Sequence, residues 1–591
     1  MNLTPEQRAI GKQNFDEAVG TTRRDFLKGS VLAGAATGGS LGAIYFGYDA
    51  KIENPLRIGI IGTGDEGGVL IGGLNPDFVQ VVAIADIRPY SVHRAFHGDW
   101  SSDGTKRARP GLMDVYGWKT EDEARKHVKV YEDKYEELLA DANVEAVIIA
   151  LPLWLHDVAA IRAMRAGKPV LTEKLMAHSV HQCKEMARVA DETGMILATG
   201  HQRHYSILYA NAVDQIRRGL IGDIHHIRAQ WFRDNLPGRD SWQPPLPEDI
   251  GGFHDFEKAL NEAKLQGRSA VDAVVVLHPL FSKLRSWRNR LNKARGAEID
   301  VWQQRVNQIE EQLADITVDA AQYGYESKTL DDGSGTERTA LEELIRWRLW
   351  DRTGGGLMAE LGSHQLDAAS IFISAQQPQG RKAMPLSVVG VGGRHVFPAD
   401  RDVDDHVYAT YEFPGAEYFQ EGSTSQVDNP NKKIVVSYSS INGNGFGGYG
   451  EVVLGTKGTL ILEREKEVML FKGSNVSTKI SVKQSGSGAA MDTYETGGGP
   501  AAAIAQAATP TDVSRGYREE IEHWAWCIRN PAPENQVKCT PEVALADAVI
   551  ALTSNIAIKE NRRIEFDPKW FDKDSDATPE GIAPRPSAEL G

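Results

Sequence analysis

Three glycines followed by an aspartate are the residues whose types and spacing indicate chemistry most directly. Gly62, Gly64 and Gly67 follow the apolar run Leu56–Ile61 in the pattern GxGxxG. The first glycine permits a tight turn, the second lets the backbone approach a pyrophosphate, and the third lets a helix pack closely on the strand. A second apolar run ends at Asp86, where a carboxylate is placed to bind ribose hydroxyls. This order predicts a dinucleotide-binding site.

The residues around Asp86 leave the choice of nucleotide open. Asp86 is typical of sites for NAD, whereas Arg88, two residues later, is able to contact the 2′-phosphate of NADP or to be solvated. We expect NAD or NADP, with NAD slightly favoured. The glycine loop, including Thr63, would present the phosphates to the N-terminus of the next helix, whose free N–H groups favour anions.

Further polar side chains stand where later strands end. Apolar runs at 144–151, 169–172 and 196–199 alternate with helical patterns, and such βα repeats predict a doubly wound parallel sheet. Ligands bind beyond the carboxyl ends of the strands in these sheets. Glu173, Lys174, Gln202 and Arg203 fall at such ends. A lysine beside the cofactor cleft favours a function over mere solvation, so we select Lys174.

The chain resembles the Gfo/Idh/MocA oxidoreductase family, the group of glucose-fructose oxidoreductase and inositol dehydrogenase. Besides the glycine fingerprint and Asp86, the matching motifs are Ala150-Leu151-Pro152 with His156, Glu173-Lys174-Leu175, Gly354-Gly355-Gly356 with Glu360, Gly362, His364 and Asp367, Tyr449-Gly450-Glu451, and Gly455-Thr456-Lys457-Gly458-Thr459. The resemblance covers residues 56–233 and 346–567. It departs from the family pattern at Leu175, where the family has proline, and at Glu360, where it has aspartate.

The resemblance implies a Rossmann domain followed by an α+β domain with a large open sheet. Alternating strand patterns recur at 386–396, 406–413, 433–440, 451–454, 460–463 and 468–471, and they predict that this sheet is mainly antiparallel. The resemblance also implies nucleotide contacts from Leu151, Pro152, His156, Glu173, Lys174 and Gln202. We expect the Rossmann domain at residues 51–205, the substrate and oligomerisation domain at 206–570, and a polar tail at 571–591. The family further suggests a homo-oligomer, a dimer or tetramer packed through the open face of the second sheet.

The resemblance assigns catalytic roles as well. Oxidising a carbinol requires a hydride acceptor, which the cofactor supplies, and a base for the hydroxyl proton, for which histidine is suited. We expect His364 to be that base and Lys174 to stabilise the developing alkoxide. Glu360, four residues before His364, shares its helix face and would orient the ring or bind a substrate hydroxyl. The alternative for His364 is a core histidine whose ring is satisfied by backbone groups.

Three other residues are expected to contact the substrate. Asp367 would share the helix face of His364, Arg203 ends a predicted strand, and Trp347 precedes the three glycines in a run of arginines and tryptophans. Sugars bind by stacking on aromatic rings and by hydrogen bonds from charged side chains. The same residues are compatible with positions in the core.

The segment from about 244 to 344 fits no motif of the family and is too long for a structureless loop. Apolar residues recur at four-three-four spacing over 280–291 and again over 302–316, with Arg295-Gly296 between the two runs. This pattern predicts a helical hairpin whose first helix is basic and whose second helix is more acidic. The insertion would serve as a lid, a subunit contact or a docking arm, or it would have no function.

The first 50 residues resemble an export segment. A twin-arginine motif, Thr22-Arg23-Arg24-Asp25-Phe26-Leu27-Lys28, precedes an uncharged stretch from Gly29 to Tyr48. Such motifs are addresses for the twin-arginine export machinery and not anchors. We therefore expect a periplasmic or otherwise exported protein that carries its cofactor tightly bound. Cleavage of the signal is favoured, and the alternative is a retained membrane anchor, because no clean cleavage site precedes Lys51.

The composition is that of an acidic globular protein. Of 591 residues, 41% are hydrophobic and 25% charged, and the net charge is −15. The length suffices for two or more domains, and the acidity disfavours nucleic acid and anionic membranes as partners. The three cysteines, Cys183, Cys527 and Cys539, form no CxxC pair. Neither a metal site nor a disulfide framework is therefore indicated.

Three functions are consistent with these features. The first is an exported NAD(P)-dependent oxidoreductase acting on a sugar, glycoside or polyol hydroxyl. The second is a redox-neutral glycosidase of the same fold, which uses bound NAD transiently for oxidation, elimination, water addition and re-reduction. The third is a non-catalytic sugar-binding protein, which the departures at Leu175 and Glu360 favour slightly.

Overall fold

The structure is a computed structural model of the chain. It describes residues 3–19, 41–248, 251–267, 278–330, 333, 335–377, 380–423, 425–473, 481–485, 488–492 and 515–590. The twin-arginine motif lies outside the described residues, as does the greater part of the uncharged stretch that follows it.

The first domain is built on a six-stranded parallel sheet. Its strands are β1 (Leu56–Ile61), β2 (Val79–Ala85), β3 (Lys129–Tyr131), β4 (Ala146–Ile149), β5 (Val170–Glu173) and β6 (Leu197–Gly200). The strand order is β3-β2-β1-β4-β5-β6, and every neighbouring pair is parallel. The residues of β4, β5 and β6 are all buried, as expected where helices cover both faces of a parallel sheet. The predicted doubly wound sheet is confirmed.

The second domain contains an eight-stranded mixed sheet. Its eight strands are β7 (Ile224–Phe232), β10 (Ser387–Gly393), β11 (His406–Pro414), β12 (Lys433–Ile441), β13 (Tyr449–Gly455), β14 (Gly458–Glu463), β15 (Glu467–Lys472) and β18 (Ile564–Glu565). Two small hairpins lie between them in the chain: β8 (Lys328–Thr329) with β9 (Glu337–Arg338), and β16 (Ser481–Ser485) with β17 (Gly488–Asp492). The order is β15-β14-β13-β7-β12-β11-β10-β18, and only the β7–β12 pair is parallel. The predicted, mainly antiparallel sheet is therefore confirmed.

One face of the second sheet is covered by helices, and the other is open at β10 and β11. Burial alternates along β11 and β12, which is typical of an antiparallel sheet that packs on one side only. The helices at Ser363–Ser374 and Pro541–Glu560 cover the inner face. On the outer face Val389, Val391 and Tyr408 are exposed, whereas the N-terminal residues around Leu3 and Gly11 pack against β14 and β15. Val391 is opposite Tyr408 in the register of β10 and β11.

The helices connect the two sheets and form the insertion. They are α1 (residues 5–19), α2 (Leu41–Phe46), α3 (Asp65–Gly73), α4 (Pro89–His97), α5 (Asp103–Ala108), α6 (Leu112–Tyr116), α7 (Glu121–His127), α8 (Tyr135–Ala140), α9 (His156–Arg165), α10 (Val180–Thr193), α11 (Ile207–Arg217), α12 (Phe253–Leu265), α13 (Pro279–Leu291), α14 (Glu298–Ala314), α15 (Ala340–Ile345), α16 (Asp351–Gly354), α17 (Ser363–Ser374), α18 (Tyr517–Arg529) and α19 (Pro541–Glu560). Among the helices described, α19 alone is long and apolar enough to cross a membrane, but 67% of its apolar window is buried inside the protein. Such burial is typical of a core helix.

The predicted helical hairpin of the insertion is present as α13 and α14. Leu284 of α13 packs with Val306 and Ile309 of α14 in a small hydrophobic cluster. The expected charge complementarity appears once at the surface, where Arg288 pairs with Glu310 at 2.6 Å. A third helix, α12, precedes the hairpin and was not predicted, although Phe256 and Leu260 on it pack against Phe281 of α13.

Both ends of the described chain pack on the two domains. Arg8 of α1 forms ion pairs with Glu463 and Glu467 at the edge of the second sheet. Tyr48, which follows α2, donates a hydrogen bond of 2.6 Å to Glu522 of α18. The polar tail crosses α10, where Arg585 pairs with Glu185 at 2.8 Å. All three cysteines are buried and unpaired, in agreement with the absence of a predicted disulfide framework.

Candidate active site

A single cavity of about 1140 Å³ connects the glycine loop of the first domain with the second sheet. Its walls come from three parts of the chain that are distant in sequence. The first domain contributes the ends of its strands, the second domain contributes the segment around His364, and the insertion contributes Tyr323 and Tyr325. The volume exceeds that of an ordinary small-molecule pocket, which suits a dinucleotide together with a second ligand.

The glycine loop has the geometry expected for a phosphate cradle. Gly62 has a φ of +87°, and a Cβ atom there would lie 2.6 Å from the carbonyl oxygen of Ala150. A Cβ on Gly67 would lie 2.3 Å from the oxygen of Gly62. A Cβ on Gly64, in contrast, would meet nothing within 4 Å, because this glycine faces the open cavity at the N-terminus of α3. The geometry therefore fits a turn at Gly62, close helix packing at Gly67 and the approach of a ligand at Gly64.

Asp86 joins the glycine loop to the end of β2. Its carboxylate accepts hydrogen bonds from the backbone N–H of Thr63 at 2.7 Å and from the Thr63 hydroxyl at 3.2 Å. Thr63 is fully buried and therefore supports Asp86 from below, whereas Asp86 itself lines the cavity. Arg88 also lines the cavity, and its guanidinium pairs with Asp315 of the insertion at 2.7 Å.

Leu151, Pro152 and His156 border the middle of the cavity, at the end of β4. The two ring nitrogens of His156 lie 2.9 Å from the carbonyl oxygens of Leu151 and Leu175. Burial lowers the pKa of His156, so the neutral ring donates to one of these oxygens at a time. His156 thus holds the segment after β4 against the segment after β5. The Lys174–Leu175 peptide bond in that second segment is cis.

Glu173 and Lys174 present two titratable side chains to the same cavity. Burial, together with the nearby carboxylate of Glu66, raises the pKa of Glu173 to about 8. Glu173 is therefore largely protonated at neutral pH. Burial also lowers the pKa of Lys174, although Glu173 and Glu360 oppose this shift. The Lys174 ammonium donates a hydrogen bond of 2.5 Å to the carbonyl oxygen of Glu360 across the domain boundary.

His364 lies at the start of α17, directly after a π-helical turn at Met358–Gly362. Single π-helical turns are frequent at functional sites. Its ring lies 5.7 Å from that of Trp231 and lines the cavity. Among the residues described, none forms a hydrogen bond with the ring. Burial and the neighbouring charges of Lys174 and Arg203 lower the pKa of His364 well below its usual value, so the ring is neutral and able to accept a proton.

Glu360 lies within the π-helical turn and also lines the cavity. Its carboxylate accepts a hydrogen bond of 2.8 Å from Arg233, at the end of β7. The side chain that is longer than the family's aspartate therefore has a cationic partner. Glu360 contacts Lys174 through its backbone oxygen, so its carboxylate and its carbonyl hold two different cations.

Aromatic and guanidinium groups form the wall beyond His364. Arg348 stacks on Trp347 and Trp242, with distances of 4.3 and 5.0 Å from the guanidinium carbon to the ring centroids. Arg233 stacks on Trp242 as well, at 5.0 Å. All four side chains line the cavity. Trp347 is therefore where the sequence predicted it, whereas Trp350 of the same run is buried in the core.

Besides Thr63 and Gly67, three predicted site residues lie behind the cavity wall instead of in it. Arg203 is 2% exposed, and it donates hydrogen bonds to Glu465, to Glu451 and, at 2.6 Å, to the carbonyl oxygen of His364. Gln202 is 1% exposed and faces the hydroxyl of Tyr517. These residues position groups that line the cavity. The sequence pattern does not distinguish residues that line the cavity from residues that lie behind its wall, since residues of both kinds follow a strand.

Asp367 is the third residue of this kind. It is 1% exposed, and it pairs with His204 and with Lys382, at 2.9 Å each. Lys382 also contacts Asp547 at 2.6 Å, and His201 lies nearby. The ligand atoms of His201, Asp367 and Asp547 lie within 4.8 Å of one another, but the Lys382 ammonium already supplies the cation between the two carboxylates. This cluster anchors α17 beneath His364.

Several cavity residues carried no sequence signal. Arg515 and Tyr517 reach the glycine loop from just before and within α18, and Tyr323 and Tyr325 come from the insertion. Trp231 and Arg233 lie at the end of β7. The rule that ligands bind at strand ends would have predicted both residues if it had been applied to the second sheet as well.

The residues present fit a nicotinamide dinucleotide. The open face of Gly64 leaves room for the pyrophosphate, Asp86 is placed for the ribose, and Leu151, Pro152 and Lys174 border the path toward His364. When bound, the nicotinamide accepts or returns a hydride, which no side chain in the cavity is able to do.

The chain is similar to several known proteins. A 1,5-anhydro-D-fructose reductase of Ensifer adhaerens is 34% identical over 119 residues, which is 20% of this chain and 35% of the relative. A glycosyl hydrolase family 109 protein of Solibacter usitatus is 27% identical over 220 residues, which is 36% of this chain and 46% of the relative. The chain thus matches less than half the length of either. The crystal structure of an aldose-aldose oxidoreductase from Caulobacter crescentus is 15% identical, with a TM-score of 0.47 over 87% of this chain and all of that one.

Two models of one family cover most of the chain. Residues 56–201 match the NAD-binding Rossmann fold of the GFO_IDH_MocA oxidoreductase family, and residues 331–563 match the C-terminal alpha/beta domain of that family. The two matches coincide with the parallel sheet and with the greater part of the second domain, and the helical hairpin lies between them. The glycine loop lies in the first matched region and the second sheet largely in the second, and Lys174 and Glu360 form a contact between the two matched regions. These two matches show that the chain belongs to the Gfo/Idh/MocA oxidoreductase family.

Proposed function

We propose that this protein is a nicotinamide-dependent oxidoreductase that acts on a hydroxyl group of a sugar, glycoside or polyol. One observation carries the proposal: Lys174, Glu360 and His364 line the same cavity as Gly62 and Gly64 of the nucleotide loop. Carbinol oxidation requires a proton acceptor, a hydrogen-bond donor and a binding site for the dinucleotide, and in this protein all three share one cavity.

The side chains divide the work on the hydroxyl group. His364 accepts the hydroxyl proton, because its ring is neutral and none of the described groups occupies its nitrogens. The Lys174 ammonium, held by the carbonyl oxygen of Glu360, donates to the hydroxyl oxygen as negative charge develops there. In the direction of reduction His364 returns the proton to the oxygen, while Lys174 keeps its hydrogen bond to that oxygen.

The wall beyond His364 suits a polyhydroxylated ligand. Trp231, Trp242 and Trp347 offer apolar faces on which a sugar ring can stack, while Arg233 and Arg348 offer hydrogen-bond donors. Arg348 has no carboxylate partner within the part of the chain described, and it therefore has donors to spare for a ligand.

We propose further that the protein is exported with its nucleotide tightly bound. The twin-arginine motif supports this location, and free nicotinamide nucleotide is scarce outside the cytoplasm. The packing of Tyr48 and of Asp49, which accepts a hydrogen bond from Trp526, favours a retained N-terminal segment over its removal at residue 50. The exposed Val389, Val391 and Tyr408 support a homo-oligomer formed through the open face of the second sheet.

The first test is to purify the folded protein without added nucleotide, denature it, and identify the released molecules by mass spectrometry. Near-stoichiometric NAD or NADP would support tight retention. Sugars and polyols would then be screened for reduction of the bound nucleotide by absorbance at 340 nm. A protein that contains no nucleotide and binds none when it is added would refute both enzymatic functions, and the sugar-binding function would stand.

A second candidate is a redox-neutral, NAD-dependent glycosidase. The similarity to a glycosyl hydrolase family 109 protein favours it specifically. The two enzymes differ in their products. A glycosidase releases the aglycone of a chromogenic glycoside without net change in the nucleotide, whereas a dehydrogenase changes the redox state of substrate and nucleotide together. Measuring both quantities in one reaction separates the two functions.

A further inference from the structure

The insertion contacts Arg88, at the nucleotide site, through a buried carboxylate. Asp315, in the short 3-10 turn after α14, accepts a hydrogen bond from Arg88 Nε at 2.8 Å and lies 2.7 Å from Arg88 Nη2. The second carboxylate oxygen of Asp315 accepts the backbone N–H of Tyr90 at 3.0 Å. The Asp315 side chain is fully buried and that of Arg88 is 10% exposed.

A second partner also holds the Arg88 guanidinium. Its Nη2 donates to Gln243 at 2.8 Å, and Gln243 lies close to the start of the insertion. Arg88 is the cation that follows Asp86 and the residue from which a 2′-phosphate would be recognised. In this chain the guanidinium instead faces a carboxylate and an amide oxygen supplied by two segments outside the first domain.

The contact belongs to a wider interface, which fixes Asp315 in place. Gln308 of α14 donates to Asp99 at 3.0 Å and accepts the backbone N–H of Trp100 at 2.6 Å. Tyr323 donates to Asp133 at 2.8 Å, and Tyr325 packs edge-on against Trp154. The insertion therefore lies on α4 and on the strand ends where the adenosine half of a dinucleotide would be held.

Negative charge surrounds the same position. A second cavity, of about 510 Å³, adjoins Asp86 between the first domain and the insertion. Its walls carry five more carboxylates, from Glu121, Glu132, Asp133, Glu311 and Asp319, but only Arg125 and His93 as basic groups. A 2′-phosphate on the ribose would add nearly two negative charges at this place, whereas a 2′-hydroxyl would add none.

We propose that Asp315 of the insertion determines the nucleotide by holding Arg88 in an ion pair, so that the site accepts the 2′-hydroxyl of NAD and rejects the 2′-phosphate of NADP. The insertion thereby acts as part of the cofactor site. This inference rests on the proposed function, because it requires that the cavity binds a nicotinamide nucleotide.

The test measures binding and needs no substrate. Dissociation constants of NAD and NADP are determined by isothermal titration calorimetry for the nucleotide-free wild type and for Asp315→Asn. The wild type should prefer NAD, and the near-isosteric asparagine should reduce that preference about tenfold or more, mainly by tightening NADP. The matched control is Glu310→Gln on α14, which removes the same charge from an exposed pair and should leave the ratio unchanged.

A second variant shows whether Arg88 carries the effect. In Asp315→Asn combined with Arg88→Met, the gain in NADP affinity should disappear. Wild type that binds NADP as tightly as NAD, or a folded Asp315→Asn with an unchanged ratio, would overturn the inference and leave the proposed function intact. Wild type that binds neither nucleotide would refute the proposed function itself. If Asp315→Asn does not fold, Asp315→Ser takes its place, because only the charge at position 315 has to be removed.

Discussion

Arg203 provides the sharpest test of whether a predicted site residue contacts the ligand itself or is buried and positions the residues that do. The sequence places this residue at a strand end and assigns it to the substrate, whereas the structure buries it beneath His364. We predict that Arg203→Met destabilises the protein and lowers kcat, with little effect on KM. The reason is that the guanidinium holds the His364 carbonyl oxygen at 2.6 Å from behind the cavity wall, and Arg203 itself does not line the cavity.

The magnitude follows from the partners that the substitution would leave behind. Glu451 and Glu465 would each lose an arginine at 2.8 to 3.0 Å, and both side chains are at most 2% exposed. Breaking a buried ion pair from one side costs about 3 to 5 kcal/mol. Glu465 keeps Arg515 as a partner, and burial already raises the pKa of Glu451 to about 7, so that it readily takes up a proton. We therefore expect a loss near the lower end, about 3 kcal/mol.

The assay is urea denaturation followed by tryptophan fluorescence, together with steady-state kinetics on the substrate found by screening. Adding Glu451→Gln to Arg203→Met should restore part of the stability, because the orphaned carboxylate is removed. Arg239→Met, at a side chain that is 69% exposed, is the matched control and should change stability by less than about 0.5 kcal/mol. An Arg203→Met protein of unchanged stability and raised KM would refute the reasoning and restore Arg203 to the substrate site.

Three further predictions concern the site itself. Lys174→Met should lower kcat about 100- to 1000-fold, because the ammonium acts on the developing alkoxide. The dissociation constant of the nucleotide, measured by calorimetry, should change little. An unchanged kcat would exclude that role of Lys174. Because burial lowers the pKa of His364, the ring stays neutral below pH 6.5, and the acid limb of the kcat/KM profile should lie below that pH; a limb above it would exclude His364 as the base. Gly64→Ala should fold with normal stability but lose nucleotide affinity, since its Cβ meets no protein atom and enters the phosphate cradle. Gly67→Ala should impair folding, since its Cβ would lie 2.3 Å from the Gly62 oxygen. Equal effects of the two variants on stability and nucleotide affinity would contradict this distinction.

Much of the fold could be predicted because its signals are local. The glycine loop, the strand that precedes it and Asp86 all lie within 31 residues of one another along the chain. The two hairpin helices of the insertion, α13 and α14, were predicted from a four-three-four spacing alone, since that repeat places apolar residues on one helix face. The strands of the second sheet were predicted because one of its faces is buried, and this imposes a two-residue alternation.

The residues behind the cavity wall were harder to predict, because orientation is not a local property. Arg203 and Lys174 both follow parallel strands, but the chain turns differently after each, so only Lys174 faces the cavity. Asp367 follows His364 by three residues, and the neighbouring α19 and Lys382 decide that its carboxylate is used inside the core.

The sequence by itself determined the dinucleotide loop and the pairing of a parallel with a mainly antiparallel sheet, and its resemblance to the family predicted Lys174, Glu360 and His364 as catalytic residues. The loop and the individual strands follow from short patterns whose physical requirement is met within one element. Only the tertiary structure decided which charges meet. Arg88 and Asp315 are 227 residues apart and become partners because the insertion folds back over the first domain. Electrostatic interaction depends on distance in space and on burial, and neither quantity is written in the order of residues along the chain.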